Sequence, residues 1–228
     1  MSQYTDRSYA EELRVIRERL LRMAGRVENM IEQSMKALME RDAELAKATI
    51  ICDHDVNQDE VDLDAMCLEL LATRQPMASD LRFVILTMKM VTDLERIADL
   101  AVNISERVID LSRKPSIGPF ENIAHMEILV RRMIHNSIDA FVERDVEKAR
   151  AVIETDDEVD ELYSTVFRAI LDTMRSDSFV VHRGIKLQSV AKYLERIGDH
   201  ATNLAEQIIQ MIEGTDVRHE GKLVDDTP

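Results

Sequence analysis

The sequence predicts an all-α protein: a tandem repeat of two antiparallel three-helix bundles, six long helices in all. Three observations lead there. Helix-breaking residues are scarce, with four Pro and six Gly among 228 residues, aromatics are few with no Trp, and the abundant Leu, Met, Ala and Glu favour helix. Apolar residues recur at helical rather than alternating spacing. One thirteen-residue stretch, Leu94-Glu95-Arg96-Ile97-Ala98-Asp99-Leu100-Ala101-Val102-Asn103-Ile104-Ser105-Glu106, returns 100 residues later. The second copy reads Leu194-Glu195-Arg196-Ile197-Gly198-Asp199-His200-Ala201-Thr202-Asn203-Leu204-Ala205-Glu206, identical at eight of the thirteen positions.

The first helix is predicted from about Tyr9 to Met39. Leu13, Ile16, Leu20, Met23, Val27, Met30, Ile31, Met35 and Leu38 mark one apolar face. Glu40-Arg41-Asp42 is a short turn, with Asp42 as N-cap of the second helix. That helix runs from about Ala43 to Ala72, with Leu45, Ala48, Cys52, Val56, Leu63, Met66 and Leu70 as its apolar set. It also carries the acids Asp53, Asp55, Asp59, Glu60, Asp62 and Asp64. Pro76 ends it, because the residue before a proline avoids the α region. The third helix, from about Ala78 to Leu111, holds the first copy of the motif, and Ser79 or Asp80 is expected to cap it.

Residues 113–120, with two Pro and one Gly, read as a linker between a first unit at 8–112 and a second at 121–213. The pattern then restarts. A fourth helix spans about Glu121 to Val142, and Glu143-Arg144-Asp145 copies the first turn. A fifth spans about Val146 to Arg175. A sixth, from about Val180 to Ile212, holds the second copy of the motif. Gly214 suits a C-cap, and residues 214–228 read as a flexible polar tail. Turns match at an offset of 103 and motifs at 100. Helices of about 30 residues are roughly 45 Å long, and turns this short make neighbours antiparallel.

A formal charge of −15 opposes nucleic acid and anionic lipid as partners, and suits cations or a basic protein. Cys52 and Cys67 form neither a disulfide framework nor a zinc pattern. The N-terminus lacks the apolar core of an export signal, and no window reaches 18 apolar residues. A cytoplasmic protein without membrane insertion is the expectation.

Glu, Asp, Asn and Glu stand at i, i+4, i+8 and i+11 of each motif, within an arc of about 80° on a helix. Such a face is ordinarily just solvated, but its duplication within one chain argues for selection. Its donors are hard oxygens, suited to Mg, Mn or iron. A second helix must complete any ion site. Asp156 and Asp160 are the candidates in the second half, and Asp53 and Asn57 match them in the first, as do Asp55 and Asp59 one step round. Two facing rows would form a like-charged seam that a cation relieves. The candidate metal ligands are therefore Glu95, Asp99, Asn103, Asp53 and Asn57, with Glu195, Asp199, Asn203, Asp156 and Asp160.

Neither HExxH nor a Glu-x-x-His pair occurs, and His200 points away from the stripe. Most of the 13 Met fall on apolar stripes and read as core. In Arg74-Gln75-Pro76-Met77-Ala78-Ser79-Asp80-Leu81-Arg82 the two arginines sit beside a helix N-terminus, where cations are disfavoured. Arg74, Asp80 and Arg82 are therefore partner-binding candidates.

The paired LERIxD…N…E motifs, the RQPxASDLR turn, the three-plus-three helices and the stretch Gly214 to His219 resemble the PhoU family of bacterial phosphate-signalling accessory proteins. The resemblance spans nearly the whole chain. It implies two three-helix bundles, a homodimer, and a non-enzymatic cytoplasmic adaptor that negatively regulates the phosphate-starvation response. It also implies two partners, the ATPase subunit of an ABC phosphate transporter and a phosphate-sensor histidine kinase. Iron, Mn, Mg or Zn would sit on E(D)xxxD motifs, which fall here on Glu95 with Asp99, Glu195 with Asp199, and Asp156 with Asp160. In the first half Asn57 replaces the second acid after Asp53, and Ala98 stands where the motif usually has Gly. The alternative reading is a metal-dependent hydrolase or metal-binding helical protein using the same carboxylates.

Overall fold

Two three-helix bundles pack side by side through one shared core. The computed structural model describes residues 2–117 and 121–214, with side chains from residue 8 onward. The helices are α1 Ser2–Glu40, α2 Ala43–Arg74, α3 Ser79–Ser112, α4 Glu121–Glu143, α5 Val146–Ser176 and α6 Val181–Glu213, and no strand occurs among the described residues. One 3₁₀ turn, Ser178–Val180, leads into α6. Part of the expected linker, Gly118 to Phe120, and the expected tail from Thr215 onward lie outside the described residues.

Each bundle is a triangle, α1–α2–α3 and α4–α5–α6, and the triangles meet through α3 against α6 and α1 against α4. Helices α2 and α5 touch only their own bundle, so they form the two outer corners. Burial follows this arrangement: fifteen of the 34 residues of α3 are buried, against six of the 32 in α2. Helices α3 and α6 run antiparallel. Lys186, near the start of α6, reaches Asp110 near the end of α3, while Gln207 reaches back to Asp93. The core is a single apolar cluster spanning both halves, with Met23, Met90, Met126 and Met133 fully inside it.

Repetition extends to the turns. Arg41 and Arg144 both adopt the left-handed conformation, with φ of 59° and 55°. Behind them the Asp42 amide donates to the Ala37 carbonyl at 2.9 Å and the Asp145 amide to Ala140 at 3.0 Å, the six-to-one bond of a Schellman turn. Asp42 then caps α2 by accepting from the Glu44 and Leu45 amides, and Asp145 caps α5 by accepting from Lys148. Arg41 also donates to the carbonyls of Leu111, Ser112 and Lys114, capping the far end of α3. Gly214, with φ 76°, ends α6.

Two expectations are corrected. No side chain caps α3: Ala78 holds the N-cap position at φ 49°. The Asp80 carboxylate instead accepts the Tyr9 hydroxyl at 2.9 Å, and burial with that bond pushes the Tyr9 pKa up to about 12. On α2 the predicted apolar set holds at Val56, Leu63 and Leu70, which are buried, and at Leu45 and Met66, which pack against the core, but not throughout. Cys52 and Ala48 are exposed, and Ala46, Thr49 and Cys67 take the interior with Val56, Leu63 and Leu70. The reason is that α2 is apolar on two sides, so its periodicity does not single out one face.

Arg144 makes no hydrogen bond or ion pair among the described residues. Arg144→Gly should therefore relieve left-handed strain and raise unfolding stability by roughly 0.5–1 kcal/mol. Arg41→Gly loses its carbonyl partners as well and should lower stability by about 1 kcal/mol. Urea midpoints of the two variants check the difference.

Candidate functional site: two carboxylate seams

Each motif helix packs against at least three other helices, so it buries more residues than the outer helix of its bundle. In α3, Leu94, Ile97, Ala98 and Ala101 are buried. Glu95 and Asp99 are left on the edge toward α2. Glu95 keeps 15% of its side chain exposed and Asp99 44%. The partner row on α2 begins at Asp53, whose Oδ2 accepts from Asn57 Nδ2 at 2.8 Å. Its other oxygen is buried without a partner, as is Oδ1 of Asp64.

The electrostatics tie these groups together. Burial, and then the charge of Asp99, raises the pKa of both Asp53 and Glu95, while the Asn57 bond and the Arg96 charge oppose the rise. Glu60 is raised by burial and then by Asp64 and Asp99. The first seam is therefore Asp53, Glu60, Asp64, Glu95 and Asp99. Its nearest cation is Arg96, 3.4 Å from Glu95 and from Asp99 and mostly solvated.

The second seam is built from α5 and α6. Asp156 is pushed up to about 6, by burial first and then by Asp199, Asp160, Asp157 and Glu195. Asp160 is also raised, by burial and then Asp199, with Lys192 opposing. Lys192 Nζ donates to Glu195 Oε1 at 2.5 Å and lies 5.3 Å from the Tyr163 ring centre. Glu195 Oε2 is buried and unpartnered. A Cβ on Gly198 would lie 3.1 Å from Asp156 Oδ1. The missing side chain at Gly198 is thus what lets the α5 carboxylate approach α6.

Chemically both seams are sets of hard oxygen donors, and three buried carboxylate oxygens lack a partner, which fits a hard cation. Among the described residues, however, no three His, Cys, Asp or Glu side chains converge as a ligand group. Asn103 is half-buried and Asn203 exposed, and neither is hydrogen-bonded to a seam carboxylate.

Sequence reading missed several members. Glu60 and Asp64 are spaced i, i+4 and lie seven and eleven residues after Asp53, so they share its face, but they were lost within a longer acidic run. Lys192, three residues before Glu195, had no signal until its direction was known. His200 is off the stripe as expected, yet it is a bridging group: its Nδ1 lies 2.9 Å from Asp93 Oδ1 across the α3–α6 contact. Gln207 donates to the other Asp93 oxygen at 2.9 Å. The turn residues divide. Arg74 is paired with Glu12 and Ser8 of α1, and Asp80 accepts from Tyr9. Arg82 is exposed beside a groove shared with Ile85, Lys89 and Met211.

Comparison with known proteins fits this duplicated geometry. A family model described as "PhoU domain" matches residues 20–108 and again 123–208. The chain belongs to the PhoU family. PhoU relatives match it over nearly all its length. One, the phosphate-specific transport system accessory protein PhoU homolog of Pseudomonas putida, is 37% identical over 97% of this chain and 87% of its own. A homolog of the same name from Aquifex aeolicus is 38% identical, covering 92% of this chain and 95% of its own. The crystal structure of PhoU from Pseudomonas aeruginosa superposes with a TM-score of 0.87 at 36% identity, covering 91% of this chain and all of that one. The phosphate transport system regulatory protein PhoU from Streptococcus pneumoniae gives 0.86 at 28% identity, covering 92% and 99%. The PhoU assignment makes this chain an accessory and regulatory protein of phosphate transport. No described helix is long and apolar enough to cross a membrane.

The raised Asp156 pKa has a defined sign. The folded state holds the proton more tightly than the unfolded chain, whose value is 3.8. The stabilising effect is full below pH 3.8 and is lost as pH rises through about 6. In chelator-containing buffer, Asp156→Asn should raise stability at pH 7.5 by on the order of 1 kcal/mol, discounted for solvent screening. The gain should vanish below about pH 4. Urea unfolding at the two pH values checks it.

Proposed function

We propose that this PhoU-family protein is a non-enzymatic cytoplasmic adaptor. It couples an ABC phosphate transporter, through the ATPase subunit, to a phosphate-sensor histidine kinase, and it holds the phosphate-starvation response off when phosphate is plentiful. One observation carries this reading: both halves of the chain match the PhoU domain, and relatives over 97% of its length are named as accessory proteins of the phosphate-specific transport system. The form supports the role. Long helices tied by a single core make a rigid body with large side faces, which suits bridging two partners. Self-association as a homodimer is part of the proposal.

The seams are proposed as cation sites. Asp53, Glu60, Glu95 and Asp99 would hold an ion in the first half, and Asp156, Asp160, Glu195 and Asp199 in the second. A bound iron, Mn, Mg or Zn ion would supply positive charge where carboxylates crowd. The chain's own residues limit it: Asn57 already satisfies one Asp53 oxygen, and Lys192 one Glu195 oxygen.

Two measurements test the proposal. Membranes from phosphate-replete cells, extracted with tagged protein, should yield the transporter ATPase and the kinase, and recovery of neither sinks the adaptor reading. Native mass spectrometry with elemental analysis on untagged protein should show metal lost in the Glu95→Gln/Asp99→Asn and Glu195→Gln/Asp199→Asn variants. Metal-free protein whose Tm is unmoved by Mn or Fe(II) removes the ion half.

A further inference from the structure

The outer face of α2 carries an apolar stripe that the core does not use. Val61 and Leu68 are 62% and 56% exposed, and Ala65 and Ala72 are exposed between and beyond them. Their spacing of i, i+4, i+7 and i+11 puts all four on one ridge about 16 Å long. The ridge lies opposite the buried Val56, Leu63, Cys67 and Leu70.

Carboxylates border it on both sides. Glu60 and Asp64 lie toward the α3 seam. Asp62 and Glu69 lie toward α1, where Asp62 is paired with Arg19 and Glu69 has no cationic partner among the described residues. Alongside the ridge, between α1 and α2, runs a groove of about 300 Å³. Ile16, Met66, Leu70 and Thr73 line it together with Glu69 and the Arg74–Glu12 ion pair.

The repeat supplies an internal comparison. Helix α5 occupies the equivalent outer corner, and at an offset of 103 the same four positions are Ser164, Arg168, Leu171 and Arg175. The fold therefore does not require an apolar stripe at this corner. Apolar positions at this spacing on an exposed helix are the chemistry of helix-on-helix docking. A second copy laid on the ridge by a two-fold would set two carboxylate borders against each other, and like charges in apposition oppose association. A helix with basic flanks meets the same ridge with complementary charge.

We propose that the outer face of α2, centred on Val61, Ala65, Leu68 and Ala72, docks a basic amphipathic helix of another protein. The partner's apolar stripe lies on the ridge and its Lys or Arg side chains reach Glu69 on one border and Glu60 on the other. The ridge itself contains no seam carboxylate, but its α3-side border shares Glu60 with the first seam, so binding is measured in chelator-containing buffer.

The test is fluorescence anisotropy of the full chain with a labelled helical peptide of about 18 residues, Leu on one face and Lys on the flanks, against the same residues in scrambled order. The ordered peptide should bind at least roughly tenfold tighter than the scrambled one. Val61→Asn with Leu68→Asn, which leaves net charge unchanged and touches no core residue, should remove that advantage while circular-dichroism melting stays the same. The matched pair on α5, Ser164→Asn with Leu171→Asn, should leave it intact. Equal binding of both peptides, or an advantage that survives in the α2 variant, overturns the proposal. So does sedimentation showing a wild-type dimer that the α2 variant abolishes, since that assigns the ridge to a second copy.

Discussion

The antiparallel contact between α3 and α6 is the constraint on which the rest of the molecule depends. It joins the two bundles into one core, and it requires both motif helices to turn an apolar side to each other as well as to their own bundle. The carboxylates of each motif lie on the edge that faces the outer helix of its own bundle. The carboxylate stripe is therefore held where it must confront a second acidic helix. Asp93, bridged by His200 and Gln207, and the Lys186–Asp110 pair stand at the same contact and give it polar register.

The two seams are built alike and neutralised differently. In the first, α2 continues from Asp53 to Glu60 and Asp64, and the nearest cation is the solvated Arg96. In the second, the positions matching Glu60 and Asp64 are Tyr163 and Phe167, and Lys192 lies over the tyrosine ring and bonds Glu195. Thr92 stands where Lys192 does in the other half and bonds its own helix backbone. Gly198 admits Asp156 close against α6, whereas Ala98 keeps a methyl group at that place. A duplicated fold has thus kept its geometry while the halves drifted in how they offset crowded negative charge.

Sequence by itself determined the class, the number of helices, the turns and the motif stripes of this protein. Helical period, Pro and Gly positions and a self-repeat are local signals that every residue in a helix obeys. Tertiary packing decided which flank of the α2 face turns inward, taking Ala46, Thr49 and Cys67 and leaving Ala48 and Cys52 outside, because a helix apolar on two sides has no sharp direction until its neighbours are placed. Arg74 and Asp80 likewise found Glu12 and Tyr9 more than sixty residues away, Asp80 in place of capping its own helix. Glu60, Asp64, Lys192 and the Asp93–His200 bridge joined or left the candidate site for the same reason: charge interactions are set by distance through space, and distance is a property of the assembled core.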